Sequence, residues 1–263
     1  GFCMVMRKSV FDRVGGFDVA FCNFEDDDLC RRVREKGLLC RIVESAWVHH
    51  EEHASFSANG VCVEGEIRKS EVLFNKKYPK VRVIAITLNE RDSLPGFFDQ
   101  FKHITTDFAI LDSGSTDGTL EWARDNGVKV AHRDFDDFAS QRNAAIASFG
   151  EGADWIVMFD PDERLDDNTL ENFWNLIRQD QYDIFLAPLW AKHPDGTERQ
   201  WVSKPFLYRN LEKIYWVFSV HEKIIGSYRQ ALVRNAKLYH MLEYHAPERR
   251  SDMEVFYASL HRE

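Results

Sequence analysis

The chain has 263 residues, with 34 Lys and Arg against 43 Asp and Glu, for a formal net charge of -9. That balance argues against a nucleic-acid protein held by bulk electrostatics, although a local cation can still reverse the field around a phosphate-bearing ligand. Hydrophobic residues make up 44% and charged residues 29%, as in ordinary globular proteins, and no run approaches the ~20 apolar residues of a membrane helix.

Gly1 opens directly into strand-like sequence with no basic region before an apolar one. No signal peptide is expected, and the lack of an initiating Met suits an excised fragment. Phe2–Met6 reads as a short strand and Lys8–Val14 as a short helix, with a turn at Gly15-Gly16. Glu25-Asp26-Asp27-Asp28 places negative charge at a helix start, Leu29, Val33 and Leu38 give that helix an apolar side, and Gly37 ends it. Arg41–Val48 reads as another strand, followed by His49-His50. The cysteines (Cys3, Cys22, Cys30, Cys40 and Cys62) all precede residue 63, and none has Cys-x-x-Cys spacing. Neither zinc nor a disulfide framework is expected, and a reducing, cytoplasmic setting is the default. Residues 56–80 read as a linker and then a helix, with the best boundary at Lys76-Lys77-Tyr78-Pro79-Lys80.

From residue 81 the chain alternates regularly. Strands are expected at Val81–Leu88, Phe108–Leu111, Val128–Ala131, Trp155–Phe159 and Tyr182–Pro188. Helices are expected at Leu94–His103, Thr119–Asn126, Phe138–Phe149 and Leu170–Ile177. This rhythm predicts an α/β fold with a mostly parallel sheet and helices on both faces. After about residue 190 aromatic segments appear (Trp190, Trp201, Phe206-Leu207-Tyr208 and Tyr215-Trp216-Val217-Phe218), which read as antiparallel strands covering one end of the sheet. Ala246–Glu263 has the spacing of an amphipathic helix.

The chemistry concentrates at strand ends. Asp160-Pro161-Asp162-Glu163 closes a buried strand, because proline cannot continue the ladder. Ligands bind at the carboxyl ends of strands in open α/β sheets, and crowded carboxylates call for a hard divalent cation. An acidic turn that merely caps the next helix is the plainer reading. Thr87-Leu88-Asn89-Glu90 could meet a base or ribose edge, or Asn89 could simply cap a helix. Asp112-Ser113-Gly114-Ser115-Thr116-Asp117 brackets a turn with two acids; it lacks the glycine spacing of a phosphate loop. Arg142 could pair with phosphate or an acid, or be a surface arginine. Glu222, in Val220-His221-Glu222, could act as a general base, and His240 could join carboxylates around a metal.

Together, Thr87-Leu88-Asn89-Glu90, Asp112 through Thr119, Gln141-Arg142-Asn143 and Asp160-Pro161-Asp162-Glu163 resemble family 2 glycosyltransferases of the GT-A fold. The likeness covers residues 81 to about 245 and is closest to the lipopolysaccharide-core branch, with Val220-His221-Glu222 and His240 as its late segments. The resemblance implies inverting transfer from a UDP- or GDP-type nucleotide diphospho-sugar to a glycan or glycolipid hydroxyl. It implies that Thr87, Asn89, Glu90, Asp112, Ser115, Arg142 and Asp160 bind the nucleotide. Asp160, Asp162 and His240 would hold Mg²⁺ or Mn²⁺. Glu222 would be the base, with Glu163 as the alternative. Peripheral association with the inner membrane face, through the acceptor, would follow.

Residues 1–55 resemble the acceptor-side half of another such domain, with Asp26 at the base position and His49 or His50 as the late histidine. A tandem enzyme, with this chain beginning inside its first domain, is the favoured account over a circular permutation. Rival functions are a sugar nucleotidyltransferase, which would want a glycine-rich basic loop after the first strand, and a non-catalytic carbohydrate-binding copy that uses the aromatic segments for stacking.

Overall fold

The computed structural model describes residues 3–49, 63–192, 197–219 and 222–241. The chain divides into two compact units, residues 1–79 and 80–263.

In the first unit, helices α1 (Lys8–Val14) and α2 (Glu25–Glu35) enclose a small core of Val14, Leu29 and Val33, and α3 (Val63–Lys77) sets Phe74 against Phe21 and Phe24. Asp28 on α2 is fully buried and accepts from Arg32, Lys77 and the Tyr78 hydroxyl. The stretch read as a linker thus ends in a helix pinned to α2. Neither expected strand forms a ladder among the described residues, and 41–48 turns at Glu44-Ser45. Val5, Ile42 and Trp47 are 97%, 92% and 86% exposed, and nothing among the described residues pairs with them. Asp26 lies in the first turn of α2 and His49 is exposed, while His50 lies outside the described residues.

The second unit is built on one curled sheet. Strands β1 (Val81–Thr87), β2 (Phe108–Asp112), β3 (Lys129–His132) and β4 (Trp155–Val157) run parallel in the order β3-β2-β1-β4. Every residue of β1 is buried, which is expected of a strand covered on both faces. Val81, Val83 and Ala85 face one core together with Phe97 and Phe98 of α4 (Leu94–Asp99) and Ala123 of α5 (Thr119–Asp125). Leu170 of α7 (Asp167–Glu171) and Phe173 of α8 (Phe173–Ile177) complete that layer. Ile84 and Ile86 face the other core, packed on Ala139 and Ala145 of α6 (Phe138–Phe149). The single helix expected at 170–177 is therefore two short ones meeting at Asn172.

The remaining strands are β5 (Glu163–Leu165), β6 (Ile184–Lys192), β7 (Glu198–Arg209), β8 (Ile214–Val217), β9 (Lys223–Gly226), β10 (Gln230–Leu232) and β11 (Leu238–Met241). Here the structure corrects the expectation. The aromatic segment does not cover one end of the sheet; β7 enters it, antiparallel between β4 and β6. Phe206, Leu207, Tyr208 and Trp216 are consequently core residues, whereas Tyr215 and Phe218 are exposed. β8 and β9 form a separate hairpin. The helix expected at 246–263 lies outside the described residues. No described helix is long and apolar enough to cross a membrane.

Candidate active site

β4 delivers the acidic run to the carboxyl edge of the parallel strands. The turn after it closes on itself: the Glu163 N–H donates to the Asp160 carbonyl at 2.9 Å, and the Asp160 N–H donates to Glu163 Oε2 at 2.9 Å. β5 begins at Glu163 and pairs antiparallel with β11, setting His240 opposite Glu163. That register brings His240 Nε2 to 3.0 Å from Asp162 Oδ2, and the Met241 N–H donates to the Asp162 carbonyl at 2.9 Å.

Two cations meet the acids. Arg142, only 1% exposed, donates from Nη2 to Asp160 Oδ1 at 2.6 Å and from Nε to Glu222 Oε1 at 2.7 Å. Its guanidinium lies over the Trp216 ring at 5.0 Å, and Nη1 is buried with no hydrogen-bond partner. Lys204 on β7 donates to Asp160 Oδ2 at 2.6 Å and to both oxygens of Glu163 at 2.9 Å.

The electrostatics follow from burial set against partners. Burial opposes ionisation of Asp160, but Lys204 and Arg142 outweigh it and hold the carboxyl well below the usual range. Glu163 is deeper, at 2% exposure; there burial wins, helped by Asp160 and Asp162, and its pKa is pushed up to about 7 despite Lys204. Burial works against the His240 cation, yet its hydrogen bond to Asp162 and the nearby acids raise its pKa. Burial is likewise overcome at Arg142 and Lys204, whose carboxylate partners keep both charged.

The short sequence Gln141-Arg142-Asn143 on α6 organises the surroundings. The Asp137 side chain caps that helix by accepting from the Ser140 N–H. Gln141 donates to Ser113 Oγ at 2.6 Å and to the Arg133 carbonyl at 2.9 Å. Asn143 pairs with the backbone of Trp216 through both ends of its amide, at 2.8 Å each, and so fixes the β8–β9 hairpin that precedes and follows Glu222.

The structure thus brings Arg142, Asp160, Asp162, Glu163, Glu222 and His240 into one cluster. Val220 and His221 lie outside the described residues. The residues expected on the nucleoside side form a laced pair of loops. Asp112 accepts from Thr87 Oγ1 at 2.9 Å, from the N–H groups of Gly114 and Ser115 at 2.8 Å each, and from Ser115 Oγ at 2.5 Å. Asn89 holds φ at 57°, its side chain accepts from the Thr116 N–H, and its own N–H donates to Ser115 Oγ. The Glu90 carboxylate accepts from the Ser93 hydroxyl. These groups build the loops at the ends of β1 and β2.

Three placements stand out. Arg142 is buried and pairs with two acids, one of the partners its sequence allowed. Glu163 is buried with both oxygens on Lys204. Asp160 has one oxygen on each cation. Lys204 was not anticipated at all. Its signal is the strand register: Ile156 pairs with Tyr208 and Val157 with Leu207, and continuing that count sets Lys204 opposite Asp160.

Among the described residues, no three His, Cys, Asp or Glu side chains gather as a metal cage. Magnesium-type sites commonly use one or two protein groups plus substrate phosphates, so a pair can suffice. His240 Nε2 and Asp162 Oδ2, 3.0 Å apart, have the spacing of two adjacent ligands at about 2.1 Å from one octahedral ion. That pair has the donor types and spacing for Mg²⁺ or Mn²⁺.

These features define an α/β protein with an acidic, cation-balanced site at the carboxyl ends of its parallel strands. Residues 82–253 match the Glycosyl transferase family 2 profile, and the chain belongs to that family. A TPR repeat-containing protein of Synechococcus elongatus is 37% identical over 150 residues, 56% of this chain and 36% of its own length. An uncharacterized glycosyltransferase of Rickettsia typhi is 27% identical over 111 residues, 41% of this chain and 36% of its own length. The match therefore spans about a third of each of these relatives. Among solved structures, S. aureus TarS 1-349 is 16% identical with a TM-score of 0.46, covering 69% of this chain and 65% of that one.

Proposed function

We propose that residues 80–263 transfer a sugar from a nucleotide diphospho-sugar of the UDP or GDP type to a hydroxyl of a glycan or glycolipid, with inversion. The observation that carries this reading is the Arg142 clamp, which sets the Glu222 carboxylate beside Asp160 and hence beside the Asp162–His240 pair. Four carboxylates (Asp160, Asp162, Glu163 and Glu222) surround two permanent cations, Arg142 and Lys204. Both cations are already paired with these acids, so an incoming diphosphate would bring negative charge with no free partner among them, which supports a divalent cation as cofactor. Asp162 and His240 would hold it, and when bound it would stabilise the charge developing on the leaving diphosphate.

The chain's own residues account for the rest. Arg142 fixes one oxygen of Glu222, orienting the carboxylate as base. Glu222 takes the proton of the acceptor hydroxyl as its oxygen attacks the anomeric carbon. The bond from that carbon to the diphosphate oxygen breaks, and the electron pair leaves with the nucleoside diphosphate. Attack opposite the leaving group inverts the centre. The loops at Asn89 and Ser115 frame the nucleoside side, and peripheral contact with a membrane would come through a lipid-linked acceptor.

The test is nucleoside diphosphate release from UDP- and GDP-sugars. Glu222→Gln should lower turnover by roughly 10²-fold or more while nucleotide binding persists. Turnover within a few-fold of wild type would remove Glu222 as the base, and no turnover of any donor by wild type would favour a binding-only copy.

A further inference from the structure

Lys204 has no place in the reaction just described, and it is the most committed cation in the site. Its ammonium donates to Asp160 Oδ2 at 2.6 Å and sits astride the two Glu163 oxygens at 2.9 Å each. One cation thus engages both carboxylates at once. The lysine side chain is 15% exposed and that of Glu163 is 3% exposed, so the contact lies largely out of water. The other oxygen of Asp160 belongs to Arg142. A divalent ion placed on Asp160 would meet two positive groups at once.

We propose that Lys204 is a built-in counter-ion, occupying for Asp160 and Glu163 the place a divalent cation would otherwise take, and thereby confining metal to Asp162 and His240. Lys204 is a positioning residue in this account. It ties β7 to the end of β4 and fixes the direction of both carboxylates, and Asp160 in turn shares Arg142 with Glu222. The metal part rests on the glycosyl-transfer reading, whereas the counter-ion part stands on the geometry of the lysine alone. A lysine that reaches for the diphosphate is the rival account. It would require the ammonium to exchange protein carboxylates for ligand.

Thermal unfolding separates the two without any activity assay. Wild type, Lys204→Met and the double variant with Glu163→Gln are compared in EDTA and in millimolar Mn²⁺ or Mg²⁺. Lys204→Met leaves two carboxylates facing each other with no lysine between them, a pair of hard oxygen donors. Its midpoint should fall in EDTA and recover by roughly 5 °C or more on adding Mn²⁺, a larger response than wild type shows. Glu163→Gln added to Lys204→Met removes one of the opposed charges. The double variant should regain most of the midpoint in EDTA and lose the enhanced metal response, and it provides the reading if Lys204→Met alone does not fold. A midpoint for Lys204→Met equal to wild type in EDTA, or the same metal response as wild type, overturns the proposal. So does a Lys204→Met protein of unchanged stability that has lost affinity for UDP. Failure of donor turnover in wild type would bear on the transferase reading and leave these midpoints interpretable.

Discussion

Replacing Arg142 with Met keeps much of the volume of the side chain and removes the charge that joins α6 to two carboxylates. The arginine makes charge-assisted bonds of 2.6 Å to Asp160 and 2.7 Å to Glu222 and stacks on Trp216. Removing one partner of a buried ion pair costs about 3–5 kcal/mol, because the other charge is left stranded. Asp160 retains Lys204 and its side chain is 37% exposed, which puts the expected loss near the lower end, about 3 kcal/mol. With a urea slope of about 2 kcal/mol/M, the midpoint should fall by roughly 1.5 M. Tryptophan fluorescence is the sensitive probe, since Trp216 lies directly under the guanidinium, and far-UV circular dichroism follows the whole unit. Lys102→Met is the control: its pair with Asp99 is exposed on both sides, and its loss should cost no more than about 1 kcal/mol. A midpoint for Arg142→Met within about 0.5 M of wild type would mean that the clamp does not hold the site together, and the argument placing Glu222 there would fail.

Asp112→Ala leaves the N–H groups of Gly114 and Ser115 without their acceptor, and should cost about 2–4 kcal/mol by denaturant titration. Gly226 has φ at 135°, and a Cβ there would collide with the Lys213 carbonyl across the hairpin; Gly226→Ala should cost at least about 2 kcal/mol and speed amide exchange in β8 and β9. The pKa of His240 is raised above its usual 6.5 in the folded chain, so its pairing with Asp162 contributes stability that is fully present below that value and is lost as pH rises through the folded pKa. Metal needs the neutral imidazole, so Mn²⁺ affinity should climb over the same interval, and His240→Ala should flatten both dependences.

Much of the second unit is legible in the sequence because its parallel strands are buried on both faces. Val81–Thr87 and Phe108–Asp112 are apolar runs that end in polar residues, and those ends mark the ligand edge. Asp160, Asp162, Glu222 and His240 stand out for the same reason, as acids and an imidazole at strand ends. What the sequence hides is pairing between distant elements. Lys204 sits in an aromatic stretch with nothing local to distinguish it, and only the antiparallel register of β7 on β4 brings it to Asp160, 44 positions away. The Thr87 hydroxyl that reaches Asp112 comes from the neighbouring strand, 25 positions away, a pairing that local sequence does not show. Residues 41–48 have strand composition and no ladder, since composition supplies a strand's side chains but not its neighbour.

The central claim, a nucleotide site completed by a cation on Asp162 and His240, is tested most directly by calorimetric titration of UDP and GDP with and without Mn²⁺. Wild type should bind one of them at least about tenfold more tightly in Mn²⁺ than in EDTA, and the Asp162→Ala, His240→Ala double variant should lose that difference. Equal affinity in Mn²⁺ and EDTA, or a metal effect that survives in the double variant, would contradict the account.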